Sequence, residues 1–164
     1  HNSAKIRADL VLEISRAVGA RGMVGGQMLD LVGEQSIFGK PEITRLQRMK
    51  TGALINCSCQ AGAILGDASE TQRHLLNAYA HDIGLAFQIR DDLLDVEGTT
   101  EQIGKPQGSD VASNKSTFVS LLGLEQARNR MQQELVAARQ QLTCFGERAE
   151  GLNWIAEYIV SRSK

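Results

Sequence analysis

The feature that most constrains this chain is a run of three aspartates, Asp91, Asp92 and Asp95, in a segment with the apolar spacing of a helix. A helix places Asp91 and Asp95 on one face, and Gln88 lies three residues before Asp91 on the same side. Like charges at this spacing repel one another, and the partial negative charge at the carboxyl end of a helix adds to the repulsion. A bound cation would relieve both effects.

Two interpretations of the aspartate run remain open on spacing alone. An acidic run on a helix is commonly a solvated face. This run, however, is embedded in apolar residues, which are Ile83, Leu85, Ala86, Phe87, Ile89, Leu93, Leu94 and Val96. Hard oxygen ligands favour Mg²⁺, which keeps some of its waters and binds a partner phosphate. The second interpretation is therefore a platform for Mg²⁺ and phosphate.

Lysines follow the aspartate run in a segment with several glycines that we interpret as a loop. Lys105 lies within residues 104–110, and Lys115 lies within residues 114–117. Lysine is a compact point charge that suits phosphate. Carboxylates and lysines on adjacent elements are the groups that hold a diphosphate bridged by Mg²⁺.

The composition predicts an all-α fold. Aromatic residues make up 4% of the 164 residues and only two residues are Pro, which favours helices over a β-sandwich. The net charge of −1 gives no indication of a nucleic-acid or membrane partner. No apolar run approaches the roughly 18 residues of a membrane span. The three cysteines are predicted to be reduced core residues of a cytoplasmic protein.

Apolar spacing predicts a succession of helices. They begin near Ser3, at Pro41, at about Glu70 after a cap at Ser69 or Asp67, and at Thr117, and a final short helix covers about 152–159. The Thr117 helix is predicted to run to about residue 142. Four glycines between residues 19 and 26 indicate either a helix break or a close approach of another helix or a ligand.

Four further polar residues lie beside apolar helix faces. Lys50 is at the edge of an apolar stripe, which is typical of a lysine whose stem lies on apolar surface and whose charge is in water. Thr51, beside it, could bond to its own helix. Gln27 and Asp30 flank an apolar pair, which is typical of a cap or of an interhelical hydrogen bond.

Five motifs, in order and at fitting separations, make this chain similar to the trans-isoprenyl diphosphate synthases. They are Gly26-Gln27-x-x-Asp30-Leu31, Lys50-Thr51-Gly52, Phe87-Gln88-x-x-Asp91-Asp92-x-x-Asp95, Gly104-Lys105-x-x-Gly108-x-Asp110 and Lys115-Ser116-Thr117. Within that family the pattern is most similar to the bacterial farnesyl diphosphate synthases (geranyltranstransferases). The resemblance implies an all-helical bundle of the isoprenoid synthase type with a central apolar cavity, usually a homodimer.

The resemblance also implies a reaction. Family members condense an allylic diphosphate, dimethylallyl or geranyl diphosphate, with isopentenyl diphosphate, and here the products would be farnesyl diphosphate and diphosphate. The implied cofactor is Mg²⁺. By position, Asp91 resembles the direct ligand of one Mg²⁺, with Asp92 and Asp95 supporting it through water.

The remaining motif residues resemble substrate-binding and catalytic groups of the family. Those that would grip the allylic diphosphate are Lys50, Lys105 and Lys115. Thr51 and Gln88 resemble polar groups that steady the developing cation and the departing proton. Gln27 and Asp30 would support the site.

One departure from the family pattern is large. The family has two facing aspartate-rich motifs, whereas this chain has one, and roughly the N-terminal half of the pattern is absent. Residues 1–164 are therefore expected to be the C-terminal part of a single isoprenoid synthase domain and to be inactive alone. The other half is expected as a companion chain or a cleaved segment. The alternatives are a non-catalytic helical partner subunit of a prenyl diphosphate synthase or a terpene cyclase, although 4% aromatic residues argue against a cyclase.

Overall fold

The computed structural model describes residues 3–36, 38–98 and 117–163, and these residues form helices and turns without a β-strand. In chain order the α-helices are α1 (Ala4–Val18), α2 (Met23–Gly33), α3 (Lys40–Gln47), α4 (Ala53–Leu65), α5 (Glu70–Glu97), α6 (Phe118–Leu122), α7 (Leu124–Gln141) and α8 (Glu150–Ser161). A π-helical turn, Arg48–Gly52, joins α3 to α4, and 3₁₀ turns at Thr143–Ala149 join α7 to α8. The predicted all-α fold class is confirmed. Within the described ranges, no helix has both the length and the apolar character needed to cross a bilayer.

Helix α5 lies at the centre of the fold, in contact with α4, α7, α8 and the π turn. Five of its buried apolar residues recur three or four positions apart, which is the spacing of one helical face; they are Tyr79, Ile83, Ala86, Ile89 and Leu93. Helix α7 packs against this face with Ala127, Met131 and Ala138. Each large apolar side chain buried here contributes about 1.5–3 kcal/mol relative to exposure.

The start of α5 confirms the predicted cap. Ser69 Oγ accepts a hydrogen bond from the Gln72 N–H at 3.3 Å, and Gln72 Oε1 accepts one from the Ser69 N–H at 2.9 Å. This capping box satisfies two donors that the first turn would otherwise leave unpaired. The capping box therefore fixes where α5 begins.

Hydrogen bonds from α5 side chains hold α8 in place. The Tyr79 hydroxyl donates to the Leu152 carbonyl at 2.8 Å. Near the other end of α8, Arg90 Nε donates to the Arg162 carbonyl at 2.9 Å. These two bonds fix the chain that follows α8 beside the aspartate run.

The single helix predicted from Thr117 to about residue 142 is wrong, because two helices occupy this stretch. Gly123 separates α6 from α7 and has a φ of 81°. Glycine adopts this left-handed conformation without the steric cost that other residues meet. The leucines on both sides of Gly123 continue the apolar pattern and conceal the break.

The prediction of core cysteines holds for part of the set. All three cysteines are free, with Cys57 buried and Cys59 partly buried. Burial raises the pKa of the Cys59 thiol to about 11. Cys144 is exposed in the 3₁₀ turns, contrary to the prediction, because it lies outside the apolar face of α7.

Two carboxylates lie close together where α5 meets α7. Burial raises the pKa of Glu134, and the nearby charge of Asp82 raises it further, while Arg130, which pairs with Glu134, opposes the shift. Burial also raises the pKa of Asp82, against the opposing charges of His81 and Arg130. The folded protein therefore holds protons on these groups more tightly than the unfolded chain.

We expect the free energy of unfolding to fall as the pH rises from the ordinary pKa values of Asp82 and Glu134, 3.8 and 4.5, through their raised values. Glu134→Gln removes one of the two titrations, so this decline should become shallower. Urea denaturation at a series of pH values measures it. Glu125→Gln, an exposed change on the same helix, is the control and should leave the slope unchanged. An equally steep decline in Glu134→Gln would contradict the assignment.

Candidate active site

Lys50 and Asp30 form an ion pair that joins the π turn to α2. Lys50 Nζ lies 2.6 Å from Asp30 Oδ2, and the two side chains are 35% and 15% exposed. Such a charge-assisted hydrogen bond fixes the direction of the ammonium group. The interhelical bond that the sequence left open for Asp30 is confirmed, and Lys50 directs its charge to Asp30 instead of simply extending it into water.

The Lys50 backbone lies directly against Gly26 of α2. A Cβ built on Gly26 would be 2.2 Å from the Lys50 backbone nitrogen. On another side of the π turn, a Cβ built on Gly84 of α5 would be 3.6 Å from the Gly52 Cα. Two glycines therefore let α2 and α5 approach the π turn closely. The sequence predicted either a break or a close approach for residues 19–26, and both occur, since α1 also ends at Val18 and α2 begins at Met23.

The π turn itself was not predicted. It spans Arg48–Gly52 and contains both Lys50 and Thr51. A π turn inserts one extra residue into a helix and is frequent at functional sites. The insertion shifts the residues after it around the helix axis. Apolar spacing could not reveal this, because the flanking stretches each keep their own helical period.

A groove of about 600 Å³ lies between the π turn and α5. Among the described residues, Gln88 is the one predicted site residue that lines it. Arginines line it as well, which the sequence analysis did not anticipate; they are Arg21, Arg45 and Arg48. Thr51 is partly buried and Gln27 is exposed.

Asp92 and Asp95 are buried, at 7% and 1% exposure. Asp92 Oδ2 accepts a hydrogen bond from the Phe118 backbone N–H at 2.7 Å. Asp92 therefore attaches the first turn of α6 to α5. Phe118 is three residues after Lys115, but Lys115 and Lys105 both lie outside the described residues.

Asp91 is more accessible and pairs with an arginine distant in sequence. Its side chain is 45% exposed, and its Oδ1 accepts a hydrogen bond from the Arg162 guanidinium. The same guanidinium lies over the Phe87 ring, 4.2 Å from the centroid, in cation–π geometry. Sequence reasoning missed Arg162, because no motif or spacing links it to a residue 71 positions earlier.

Positive charge from other elements surrounds the carboxyl end of α5, whose own last turn has no basic residue. Arg128 of α7 pairs with Glu97 at 2.7 Å. Burial lowers the pKa of Arg90, and the positive charges of Arg162 and Arg128 act in the same direction, while Glu97 opposes them. The tertiary fold therefore supplies the counter-charges that the helix lacks.

The aspartates at the end of α5 fit a magnesium ion that is bound by one protein carboxylate and otherwise by water and substrate phosphates. No three or more His, Cys, Asp or Glu side chains of the described residues are grouped so as to hold a metal ion. Of the three aspartates, only Asp91 presents a substantially exposed carboxylate. Mg²⁺ is commonly bound through one or two carboxylates, with water and substrate phosphates completing its coordination. The predicted roles of Asp91, Asp92 and Asp95 toward a metal stay predictions.

Comparison with known proteins reveals one family. The family model described as "Polyprenyl synthetase" matches residues 4–149. The farnesyl diphosphate synthase of Escherichia coli (strain K12) is 42% identical over 166 residues, which cover 99% of this chain and 56% of that protein. The chain spans about half the length of the curated relatives it matches.

Solved structures give the same result. The crystal structure of an FPP/GFPP synthase from Zymomonas mobilis matches 98% of this chain and 53% of that chain, with a TM-score of 0.85 and 46% identity. A geranyltransferase from Helicobacter pylori, crystallised with magnesium and isoprenyl diphosphate, matches 96% of this chain and 52% of that chain, with a TM-score of 0.79 and 30% identity.

Gly26→Ala should destabilise the protein by about 1–3 kcal/mol, because the new methyl group would overlap the Lys50 backbone. This cost should exceed the gain of about 1 kcal/mol that alanine brings to a helix interior. Urea denaturation measures the difference. Gly62→Ala in α4 is the matched control, since a Cβ there meets nothing within 4 Å and should be neutral or stabilising. A neutral Gly26→Ala would mean that α2 does not approach the π turn this closely.

Proposed function

Because this chain belongs to the polyprenyl synthetase family, we propose that it forms part of a Mg²⁺-dependent prenyltransferase. The reaction is the condensation of dimethylallyl or geranyl diphosphate with isopentenyl diphosphate, which gives farnesyl diphosphate and diphosphate. The observation that carries the proposal is the Asp91 carboxylate, exposed on α5 while the two other aspartates are buried. The ligands of the Helicobacter pylori relative support it.

Asp91 is the residue that would hold the metal. Bound Mg²⁺ would neutralise the charge that develops on the diphosphate as it leaves the allylic carbon. The buried Asp92 fixes the start of α6 next to this end of α5. The predicted supporting roles of Asp92 and Asp95 through water belong to the proposal.

Lysine side chains would hold the diphosphate. Lys50 is kept in one direction by Asp30, so its positive charge costs little further reorganisation when an anion arrives. Gly26 sets the position of the Lys50 backbone. Lys105 and Lys115 complete the proposed diphosphate-binding set.

Neutral polar groups would stabilise the reacting carbons. The departure of diphosphate leaves an allylic cation, which the double bond of isopentenyl diphosphate attacks, and a proton is then lost. Fixed dipoles stabilise such a cation without introducing a competing base. Thr51 in the π turn and Gln88 at the groove are the proposed dipoles, and the groove volume of about 600 Å³ is in the range of small-molecule sites.

An apolar surface on α1 and α2 supports the proposed partner. Eight large apolar side chains here are 38–65% exposed, and we call them the α1–α2 apolar face; they are Val11, Leu12, Ile14, Val18, Val24, Met28, Leu31 and Val32. Exposed apolar side chains in this number on two successive helices are typical of an interaction site. The proposed occupant is the part of the synthase that carries the first aspartate-rich motif and the isopentenyl diphosphate site, as a companion chain or a cleaved segment. A cytoplasmic homodimer is the proposed assembly.

We expect the chain, assayed with the companion that remains bound on purification, to release diphosphate from geranyl and isopentenyl diphosphates when Mg²⁺ is present. Asp91→Ala should lower kcat by about 10²–10³, the scale of losing one electrostatic contact to the transition state. Steady-state kinetics, with extraction of the prenyl product to read its chain length, measures the effect. Asp9→Asn, which removes a carboxylate paired with Lys5 on α1, is the control and should keep the wild-type rate.

Near-normal turnover by Asp91→Ala would refute the metal role. If the wild-type complex releases no diphosphate, the chain is instead a non-catalytic partner subunit. Release of diphosphate from the allylic substrate alone, with a cyclic product, would indicate a terpene cyclase.

The α1–α2 apolar face should make the purified chain depend on a companion. We expect light scattering after size exclusion to give a mass above that of one chain, and intact-mass spectrometry to identify the second polypeptide. Met28→Lys, in this face, should weaken the association, whereas Val136→Lys, an equally exposed change on α7, should not. A well-behaved monomer in dilute solution would contradict the proposed partner.

A further inference from the structure

We propose that Arg162 is a resident counter-cation of Asp91, and that its guanidinium and the metal ion compete for this carboxylate. This inference rests on the proposed role of Asp91 as a metal ligand. Arg162 would then be a positioning residue, which holds Asp91 in place before the metal binds and lowers the apparent metal affinity.

Three residues of α5 form the contact surface for Arg162. Phe87, Arg90 and Asp91 are three and four residues apart, so they share one side of the helix. Phe87 offers its ring to the guanidinium, Arg90 donates to the Arg162 carbonyl at 2.9 Å, and Asp91 accepts from the guanidinium. A contact made through both the backbone and the side chain is a specific arrangement and not a chance surface pair.

The backbone of Arg162 is held independently of its side chain. Its N–H donates to the Tyr158 carbonyl at 2.8 Å, and its carbonyl accepts from Arg90. The guanidinium can therefore leave Asp91 by side-chain rotation alone, while α8 and the Arg162 backbone stay in place. Rotation of an arginine side chain is much faster than movement of a helix.

One donor of the bound guanidinium makes no hydrogen bond. Arg162 Nε is buried and has no hydrogen-bond partner. A buried donor without a partner disfavours the arrangement that contains it. The pairing with Asp91 is therefore strong enough to neutralise the carboxylate, yet open to displacement by a divalent ion with a higher charge density.

Exchange follows from the charges at the site. Asp91 Oδ1 accepts from the Arg162 guanidinium, and the Arg90 guanidinium is bonded to the Arg162 carbonyl. Two positive charges therefore already lie close together beside Asp91. A divalent ion at Asp91 with Arg162 still in place would bring further positive charge into the same small region. Release of Arg162 removes this repulsion and frees a cation that can move toward the anionic ligand of the metal.

Calorimetric titration of Mg²⁺ in the presence of inorganic diphosphate tests the competition directly. We expect Arg162→Gln to bind Mg²⁺ about 3- to 10-fold more tightly than the wild type, since it removes a competing partly exposed ion pair. Arg162→Lys keeps the competing charge and should stay within about 2-fold of the wild type. Arg128→Gln removes a nearby guanidinium that pairs with Glu97 and is the control for a general charge effect; it should also stay within about 2-fold.

Thermal unfolding supplies a readout that does not depend on turnover. Without metal, Arg162→Gln should lower Tm by about 2–4 °C, and saturating Mg²⁺ with diphosphate should remove most of this difference. A merely structural arginine would lower Tm equally under both conditions.

The outcomes separate the two proposals. If Asp91→Asn weakens Mg²⁺ binding while Arg162→Gln leaves it unchanged or weakens it, the competition is refuted and the metal role of Asp91 stands. If Asp91→Asn binds Mg²⁺ as the wild type does, or if the wild type gives no heat of binding, the proposed metal role fails and the competition fails with it.

Discussion

The carboxyl end of α5 places three carboxylates where the helix dipole is already negative, and the positions of the neighbouring elements follow from the need to neutralise them. Asp92 is satisfied by the first N–H of α6, and Asp91 by the residue that follows α8. Asp92 is buried and Asp91 is half-exposed, so the cost of leaving the carboxylate without its partner is larger for Asp92. The aspartate run therefore organises the structure around it, in addition to any ligand that it binds.

The positive side of the site follows the same rule on different helices. Lys50 is paired with Asp30 across a glycine contact, so neither charge of the candidate site is left alone in the described structure. A charged side chain that has an oppositely charged partner costs less free energy to keep partly buried than one without a partner. Under the proposals above, a metal at Asp91 would take the place of the Arg162 charge, while Asp30 would stay beside Lys50 and keep it in position for the anion.

The sequence was informative where local rules decide the structure. The candidate caps and the apolar spacing of α5 predicted where this helix begins, because a cap and an amphipathic face are properties of adjacent residues. The π turn and Gly123 were missed, since an inserted residue and a positive φ both leave the apolar pattern intact on either side. Arg162 was missed because its contact with Asp91 exists only once α8 has folded back onto α5. The motifs identified the candidate side chains, and only the tertiary structure supplied their partners.

The α1–α2 apolar face connects the site to the rest of the molecule. Helix α2 buries only Gly26 fully, against the backbone of Lys50, while four of its large apolar side chains, Val24, Met28, Leu31 and Val32, are exposed. An ordinary surface helix buries most of its apolar side chains against the core. The contact between Gly26 and the Lys50 backbone buries little apolar surface of α2. The stability of its position would therefore increase if a partner covered the exposed apolar side chains. Because α2 also carries Asp30, the geometry of the Lys50 ion pair depends on the same cover, and the companion proposed for this face would stabilise the site directly as well as the fold.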